Sequence, residues 1–420
     1  MITIPQAKKY VLPNGLRIVT EDLPALRSVS MGILTGVGSG NEAVKEAGLS
    51  HYIEHMMFKG TKKRNAYEIA HALDSIGGKM NAYTSKETTV YYAVVLDKHI
   101  ATQIDVLSDM VLGSLFDAKE MEIEKGVILE EIKMYEDTPD ELIHDYFAER
   151  ILHGHPLGQP TIGHAASVKA MRRDDIVDYV GRFYSPSNMV ISLAGALPPN
   201  VVDLLKPYWE KFAGPKIVHQ QPHPDIKGGI SLKKKKTEQT HLCLGTKGPS
   251  QLDDDRFAFA ILDNIMGGSM SSHLFQEVRE KRGLAYAIYS TASPFRDLGI
   301  AYTYAGIGHE NLEQVVDLIL QEFGRMKKDG LTAAEIERAK EYMKGTTVLG
   351  LESTAARMSY IMRSEFYYDR VITIDETFDK IDQVGNDDII RLANQYFRDE
   401  FLTLAVIGDR DELPIKALRC

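Results

Sequence analysis

FYSPSNMVISLAGAL, residues 183–197, has an echo 213 positions later in YFRDEFLTLAVIGDR, residues 396–410. Each passage opens on an aromatic pair, crosses a polar turn and runs through an alternating apolar strand to a glycine, with Gly195 and Gly408 in register. A second pair lies earlier in each half, where SVSMGILTGVGSG (28–40) parallels QTHLCLGTKGPSQ (239–251). Each is followed by an amphipathic helix ending in small residues, KGT at 59–61 and GGS at 267–269. Self-similarity at half the length of a 420-residue chain predicts two domains of one topology. The length agrees, because single hydrophobic cores stop growing beyond about 250–300 residues. Between the copies, AGPKIVHQQPHPDIKGG (213–229) is rich in Pro, Gly and polar residues and has no apolar period, which marks a linker. The expected domains are 1–214 and 230–420, joined by 215–229. In the first half, strands are expected at 10–20, 28–36, 89–96 and 189–195. Helices are expected near 47–58, 66–76, 98–113, 117–136, 140–152, 165–181 and 199–212. Strands and helices mix without strict alternation, so each domain should be α+β, a mainly antiparallel or mixed sheet backed by helices.

The composition, 44% hydrophobic and 26% charged, is that of a globular chain. Its 49 basic and 59 acidic residues leave a net charge of -10, which disfavours a phosphate backbone as partner. The one basic run, Lys233 to Lys236, reads as a solvated strand edge rather than a nucleic-acid patch. Cys243 and Cys420 are too few for a disulfide framework or a cysteine zinc cluster and fit a reducing compartment. MITIPQAKKYVLPNGLRIVTE reads as strand, Asn14-Gly15 turn and strand, without the apolar core of a signal peptide. No apolar window is long enough to span a membrane, and a cytoplasmic protein is expected.

The helix of the first copy carries GLSHYIEHMMFKGT, residues 48–61. Each helical residue advances about 100°, so His51 and His55 stand one above the other with Glu54 beside them. Leu49, Tyr52, Ile53 and Met56 fill the rest of the circumference, as a buried helix requires. Two imidazoles at this spacing can hold one metal ion, and a carboxylate angled too far to ligate can take a proton from water activated there. The same H-x-x-E-H residues also fit a helix with two half-exposed histidines, one of them ion-paired to Glu54. A tetrahedral zinc with a catalytic water needs a third protein ligand. FDAKEMEIEKGVILEEIKMYEDTPDE (116–141) starts on a cap-like Asp117-x-x-Glu120 and stops at Pro139, which predicts a long helix. With Glu124 at zero, Val127, Ile128, Met134 and Tyr135 fall within about 80°, and Glu131 lies inside that apolar arc. Glu122, Glu130 and Glu136 fall outside it with Lys125 and Lys133. Carboxylates in an apolar face are costly unless paired, so Glu124 and Glu131 read as buried acids facing a positive charge. A metal is one such charge; an arginine salt bridge or a loop cap is another. His153 and His155 in HGHP are a rival pair, although a glycine-containing loop before Pro156 favours a structural turn.

Together these residues resemble the inverted-motif zinc metallopeptidases that include pitrilysin, insulin-degrading enzyme and the mitochondrial processing peptidase. The likeness runs through NGLRIV (14–19), GLSHYIEHMMFKGT, NAYTSKETTVYY (81–92), EKGVILEEI (124–132), HPLG (155–158) and FQEVREKRGLAY (275–286), covering essentially the whole chain. It is similar above all to single-chain bacterial processing-peptidase-like proteins, with the processing-peptidase/LuxS-like metallohydrolase fold. The resemblance implies His51, His55 and Glu131 as ligands of one Zn2+ per chain, Glu54 as general base and Glu124 as a supporting acid. It implies that Asn81 and Ala82 lie on an edge strand that receives the substrate backbone. It also implies that Arg279 and Tyr286 contact the substrate backbone and the developing oxyanion from the half opposite the zinc. In relatives with four domains in one polypeptide that pair comes from the final domain, so here a homodimer closing around a chamber is expected, or a heterodimer with an inactive homologue. Taken alone, Arg279 would be a surface arginine in a charged helix. In the second copy the positions of His51, Glu54 and His55 fall near Phe259, Leu262 and Asp263, and that of Glu131 near Thr346, so no second metal site is expected. The implied activity is zinc-dependent endopeptidase action on extended peptides or unfolded segments. The alternatives are a non-catalytic subunit of a processing-peptidase-like complex and a metal-dependent small-molecule hydrolase. Intact ligands speak against the first and the peptide-docking stretch against the second.

Overall fold

The structure, a computed structural model, describes residues 7–218 and 224–420. Residues 1–6 of the expected opening strand and 219–223 of the expected linker lie outside these ranges. Two sheets organise the chain. The first contains β1 (Lys8–Val11), β2 (Arg17–Asp22), β3 (Ser28–Thr35), β4 (Lys79–Thr84), β5 (Thr89–Leu96) and β6 (Met189–Gly195) in the order β1-β2-β6-β3-β5-β4. The second contains β7 (Gly229–Lys234), β8 (Thr240–Gly248), β9 (Ala285–Pro294), β10 (Gly299–Ile307) and β11 (Thr403–Gly408) in the order β7-β11-β8-β10-β9. Apart from β1, the two orders superpose strand for strand. In each sheet one pair is parallel, β2 with β6 and β7 with β11, and the remaining pairs are antiparallel. The repeat seen in the sequence is thus a repeat of topology, and the α+β expectation holds.

The chain divides into two compact units that are not single stretches. One comprises Met1–Lys133, Gln159–Gln221 and Val348–Ile372; the other comprises Met134–Gly158, Pro222–Thr347 and Thr373–Cys420. Each central strand is therefore covered on both faces, which is why β6 reads MVISLAG and is buried throughout. In the first unit, one face of the sheet packs on the helices Leu49–Met56, Ile100–Gly113 and Val201–Trp209 through Tyr52, Leu107 and Trp209. The other face carries the helix Thr354–Tyr368, whose Met358, Met362 and Phe366 meet Val19, Leu34, Val90 and Val190. That helix approaches closely enough that a Cβ on Gly32 would lie 2.5 Å from the Met358 sulfur. Polar ties fix it further: the Arg357 guanidinium grips the buried Glu21 carboxylate, and Ser192 Oγ donates to Met358 O at 2.8 Å. In the second unit the helix Pro139–Ile151 plays the matching part, with Ile143, Phe147 and Ile151 against Cys243, Ile300, Ala405 and Ile407.

Two local expectations change. The single helix expected over 165–181 is two, Ala165–Ala170 and Arg173–Phe183. Met171 and Arg172 are extended, and the Asp175 carboxylate accepts the Arg172 N–H at 2.8 Å, starting a new helix where a continuous one was expected. The helix Ala118–Glu136 begins as expected, with Asp117 Oδ1 accepting from Lys119 N and Glu120 N, but it buries a different stripe. Met121, Glu124, Ile128 and Ile132 are buried, whereas Val127 and Met134 are 49% and 61% exposed. The apolar arc around Glu131 is therefore largely open, and Glu131 stands at its border with the core. Lys125–Glu122 and Lys133–Glu130 pair on the surface as the pattern requires. His155 is buried and its Nδ1 accepts from Leu157 N, a structural turn rather than a metal pair. The lysine run 233–236 includes the end of edge strand β7. Among the described residues no helix is long and apolar enough to cross a membrane.

Candidate metal and catalytic site

The site begins at Gly48, whose φ of +93° turns the chain into the helix Leu49–Met56. A side chain there would be strained and would also strike Ile162 O at 2.6 Å. The buried Glu42 carboxylate accepts the N–H groups of Gly48 (2.7 Å) and Ser50 (2.6 Å), satisfying two donors that the helix start leaves without partners. Burial nevertheless pushes its carboxyl up to about 8. The buried Tyr52 hydroxyl donates to Met121 O, which sets this helix against Ala118–Glu136. Helical spacing then does the rest. His51 Nε2 and His55 Nε2 lie 3.2 Å apart, and Glu131 Oε2 lies 3.8 Å from the first and 3.9 Å from the second.

Three donors on a tetrahedral zinc with bonds near 2.0 Å would be about 3.3 Å apart, so this set fits with only a small movement of the carboxylate. Among the described residues it is the one trio of His, Cys, Asp or Glu side chains gathered closely enough for a metal. A second observation supports the fit. Glu124, 6% exposed, places Oε1 2.8 Å from His55 Nδ1 and its other oxygen against the Lys59 ammonium. A carboxylate can only accept, so His55 carries its proton on Nδ1 and turns the Nε2 lone pair toward His51 and Glu131. Burial works against ionised Glu124, but Lys59 and His55 outweigh it and hold its carboxyl below the usual glutamate range. His51 is pushed down to about 4, first by burial and then by neighbouring His55, so its imidazole is neutral, the form that ligates.

Glu54 shares the helix but not the donor cluster. Its Oε2 accepts from Thr84 Oγ1 at 2.5 Å. Burial raises its carboxyl above the ordinary glutamate value, opposed by the Thr84 bond and by His55. Thr84 is the last residue of β4, which among the described residues pairs only with β5 and so forms an edge of its sheet. Asn81 and Ala82 lie on this edge, where the Ala82 N–H donates to Asn81 Oδ1 at 2.9 Å. The catalytic carboxylate candidate is thus tied directly to the edge strand. Lys59, Thr84 and Glu42 were not singled out in the sequence, although two signals were available. Thr84 shares the strand face of Ala82 by period two, and Lys59 follows His55 by four positions.

In the second unit, Arg279 lies in a π-helical turn, Phe275–Glu280, and Tyr286 on β9. The Arg279 guanidinium sits 4.9 Å from the Phe275 ring centre and 5.3 Å from that of Tyr286, and Tyr286 is 77% exposed. The two expected residues are therefore brought together on an exposed face, and π-turns of this kind recur at functional positions. The helix Asp255–Met266 carries Phe259, Leu262 and Asp263, the residues expected near the positions of His51, Glu54 and His55. The first two are core residues, and burial raises the Asp263 carboxyl to about 6. Thr346 spends its hydroxyl on carbonyls of its own helix.

Two homologous mixed sheets with an H-x-x-E-H helix and a distant glutamate converging on one point define a metallopeptidase of the inverted-motif class. The profile of the insulinase family (peptidase family M16) matches residues 17–165, and that described as the peptidase M16 inactive domain matches 170–343. The chain is 39% identical over 407 residues to the zinc protease YmxG of Bacillus subtilis, covering 97% of this chain and 99% of that one. It is 41% identical over 399 residues to a zinc protease of Streptomyces coelicolor, covering 93% and 87%. It belongs to the insulinase family of peptidases, M16, and is a metalloprotease. The fold is shared with a Helicobacter pylori protease (TM-score 0.88, 22% identity, 96% of this chain and 100% of that one). It is shared too with a Pseudomonas fluorescens structure titled peptidase M16 inactive domain (TM-score 0.90, 19% identity, 99% and 100%).

Proposed function

We propose that this chain is a zinc-dependent endopeptidase for extended peptides or unfolded segments, with Glu54 as general base. The observation that carries it is the convergence of His51 Nε2, His55 Nε2 and Glu131 Oε2 beside Glu54, itself anchored to the edge strand. These three atoms would hold one zinc ion per chain, and Glu124 keeps His55 in the required tautomer. A bound zinc ion supplies a Lewis acid that polarises a carbonyl and lowers the pKa of water. Glu54 Oε1, the oxygen not engaged by Thr84, takes the proton from the attacking water and returns it to the leaving amine. The substrate backbone adds to β4 at Asn81 and Ala82, which selects extended chains over folded ones. Arg279 and Tyr286 hold the substrate backbone and the oxyanion from a second protomer, in a homodimer closing a chamber around a cytoplasmic peptide.

Glu54→Gln should retain about one zinc per chain and lose peptide cleavage by at least about 100-fold. Equal cleavage by variant and wild type would remove Glu54 from this role. Mixing inactive Glu54→Gln with inactive Arg279→Ala tests the dimer. Random assortment rebuilds one intact site in half the dimers and should restore about a quarter of wild-type activity. No recovery on mixing, with both variants still dimeric, would put Arg279 in the site of its own chain.

A further inference from the structure

The helix that supplies Glu131 leaves large apolar side chains in solvent beside it. Counted from Glu131 at about 100° per residue, Val127, Met134 and Ile123 fall about 40°, 60° and 80° round the helix, all in the same direction. They are 49%, 61% and 62% exposed, although the helix has a separate stripe, Met121, Ile128 and Ile132, for its core contacts. Single exposed apolar residues need no explanation; a row of them next to a metal-ligand candidate does. The second half of the chain repeats the row without the ligand. The helices Ala118–Glu136 and Ala333–Gly350 pair residue for residue from their first alanines. Asp117 Oδ1 accepts from Glu120 N as Thr332 Oγ1 accepts from Glu335 N, and Met121 and Ile336 are both buried. Lys125 Nζ donates to Glu122 Oε1 and Met171 O, as Lys340 Nζ does to Glu337 Oε1 and Asp382 O. In this register Glu131 becomes Thr346 and Ile123 becomes Arg338, yet Val127 becomes Tyr342, 48% exposed, and Met134 becomes Leu349, 68% exposed. The exposed apolar pair is present in both copies and the carboxylate in only one, so the pair does not exist to serve a metal.

We infer that Val127 and Met134, with Ile123 one turn beyond, form the surface on which apolar side chains of a bound peptide rest, so that the site selects extended segments with apolar residues at alternate positions. The inference rests on the endopeptidase reading above and names its substrate class more closely. Ile123, Val127 and Glu131 follow one another at about 6 Å along the helix axis. Side chains on one side of an extended chain repeat at about 6.6 Å, nearly the same interval. Glu131 stands between Val127 and Met134 in the sequence and on the stripe, so a folded surface packed over those two would close the donor cluster. A single extended chain can cover them and still present a carbonyl there. Unfolded segments meet the requirement, because the apolar residues that a folded protein buries are the ones they expose.

The test uses two labelled peptides of about ten residues, identical except for leucine or serine at every second position. Binding is followed by fluorescence anisotropy on zinc-loaded full-length Glu54→Gln, chosen so that bound peptide is not cut, and on the same protein carrying Val127→Ala and Met134→Ala. The ratio of kcat/KM for the two peptides is measured with Glu54 intact. The leucine peptide should bind and be cut about tenfold better than the serine peptide, the return on partly burying apolar side chains. The two alanines should bring that preference below about threefold with zinc content and Trp209 fluorescence unchanged. Equal binding of the two peptides by Glu54→Gln, or a preference undiminished by the alanines, would overturn the inference. An undiminished preference accompanied by loss of a dimer in light scattering would make the stripe a subunit contact instead. A leucine preference that the alanines abolish, in a protein that with Glu54 intact cuts neither peptide, would uphold the surface and refute the endopeptidase reading.

Discussion

Replacing Glu124 with alanine should weaken zinc binding by about 10- to 100-fold without unfolding the first unit. Glu124 is 6% exposed, and its Oε1 accepts from His55 Nδ1 at 2.8 Å while the other oxygen meets Lys59. Removing it deletes the acceptor that fixes the His55 tautomer, so binding must first select the ring form with a free Nε2 lone pair. It also leaves the Lys59 ammonium, 28% exposed, near a site about to receive a dication. Loss of such an outer partner typically costs 10- to 100-fold in affinity, or about 1.4–2.8 kcal/mol at 1.4 kcal/mol per decade. Glu124→Gln keeps an acceptor without the charge and should lose less than about tenfold. Lys59→Met, with Glu124 intact, isolates the lysine and should not weaken binding. The assay is competition against a chromophoric chelator, with folding checked by fluorescence of Trp209, the one tryptophan of the chain, buried in the first unit. Zinc affinity within about twofold of wild type in Glu124→Ala would refute the argument, since the tautomer would then need no partner.

Two further outcomes follow from buried carboxylates. Arg357→Ala strands Glu21, whose side chain is 5% exposed, and should cost about 3–5 kcal/mol in urea unfolding followed by Trp209 fluorescence; a loss below about 1 kcal/mol would mean that solvent reaches Glu21 when its partner is gone. Glu42, raised by burial to about 8, is most favourable to the fold when protonated, and that contribution is lost as pH rises toward its folded value. The wild-type melting temperature should therefore decline relative to Glu42→Gln between about pH 5 and pH 8, and parallel curves for the two proteins would show that the two backbone N–H groups keep Glu42 ionised throughout.

Much of this protein was legible along the chain because periodicity is local. The strand echoes at 183–197 and 396–410 became β6 with its continuation and β11 with its flanks, in sheets of matching order. The i, i+4 spacing of His51 and His55 put the two rings one turn apart on the same side of the helix, and with Glu124 orienting His55 their Nε2 atoms come to 3.2 Å. Folding alone decided which carboxylate meets them. Glu124 and Glu131 are seven apart on one helical stripe, and spacing treats them alike. In the packed pair of helices, tied by Tyr52 on Met121 O, Glu124 meets Nδ1 of His55 while Glu131 approaches the Nε2 atoms of both rings. The same holds for the helices Pro139–Ile151 and Thr354–Tyr368. Each announces an apolar face by its period, yet a period does not name the surface it will cover, and each joins the unit of the other half of the chain. Sequence fixes what a segment can bury; only the competition among all segments for the same apolar surface decides against what.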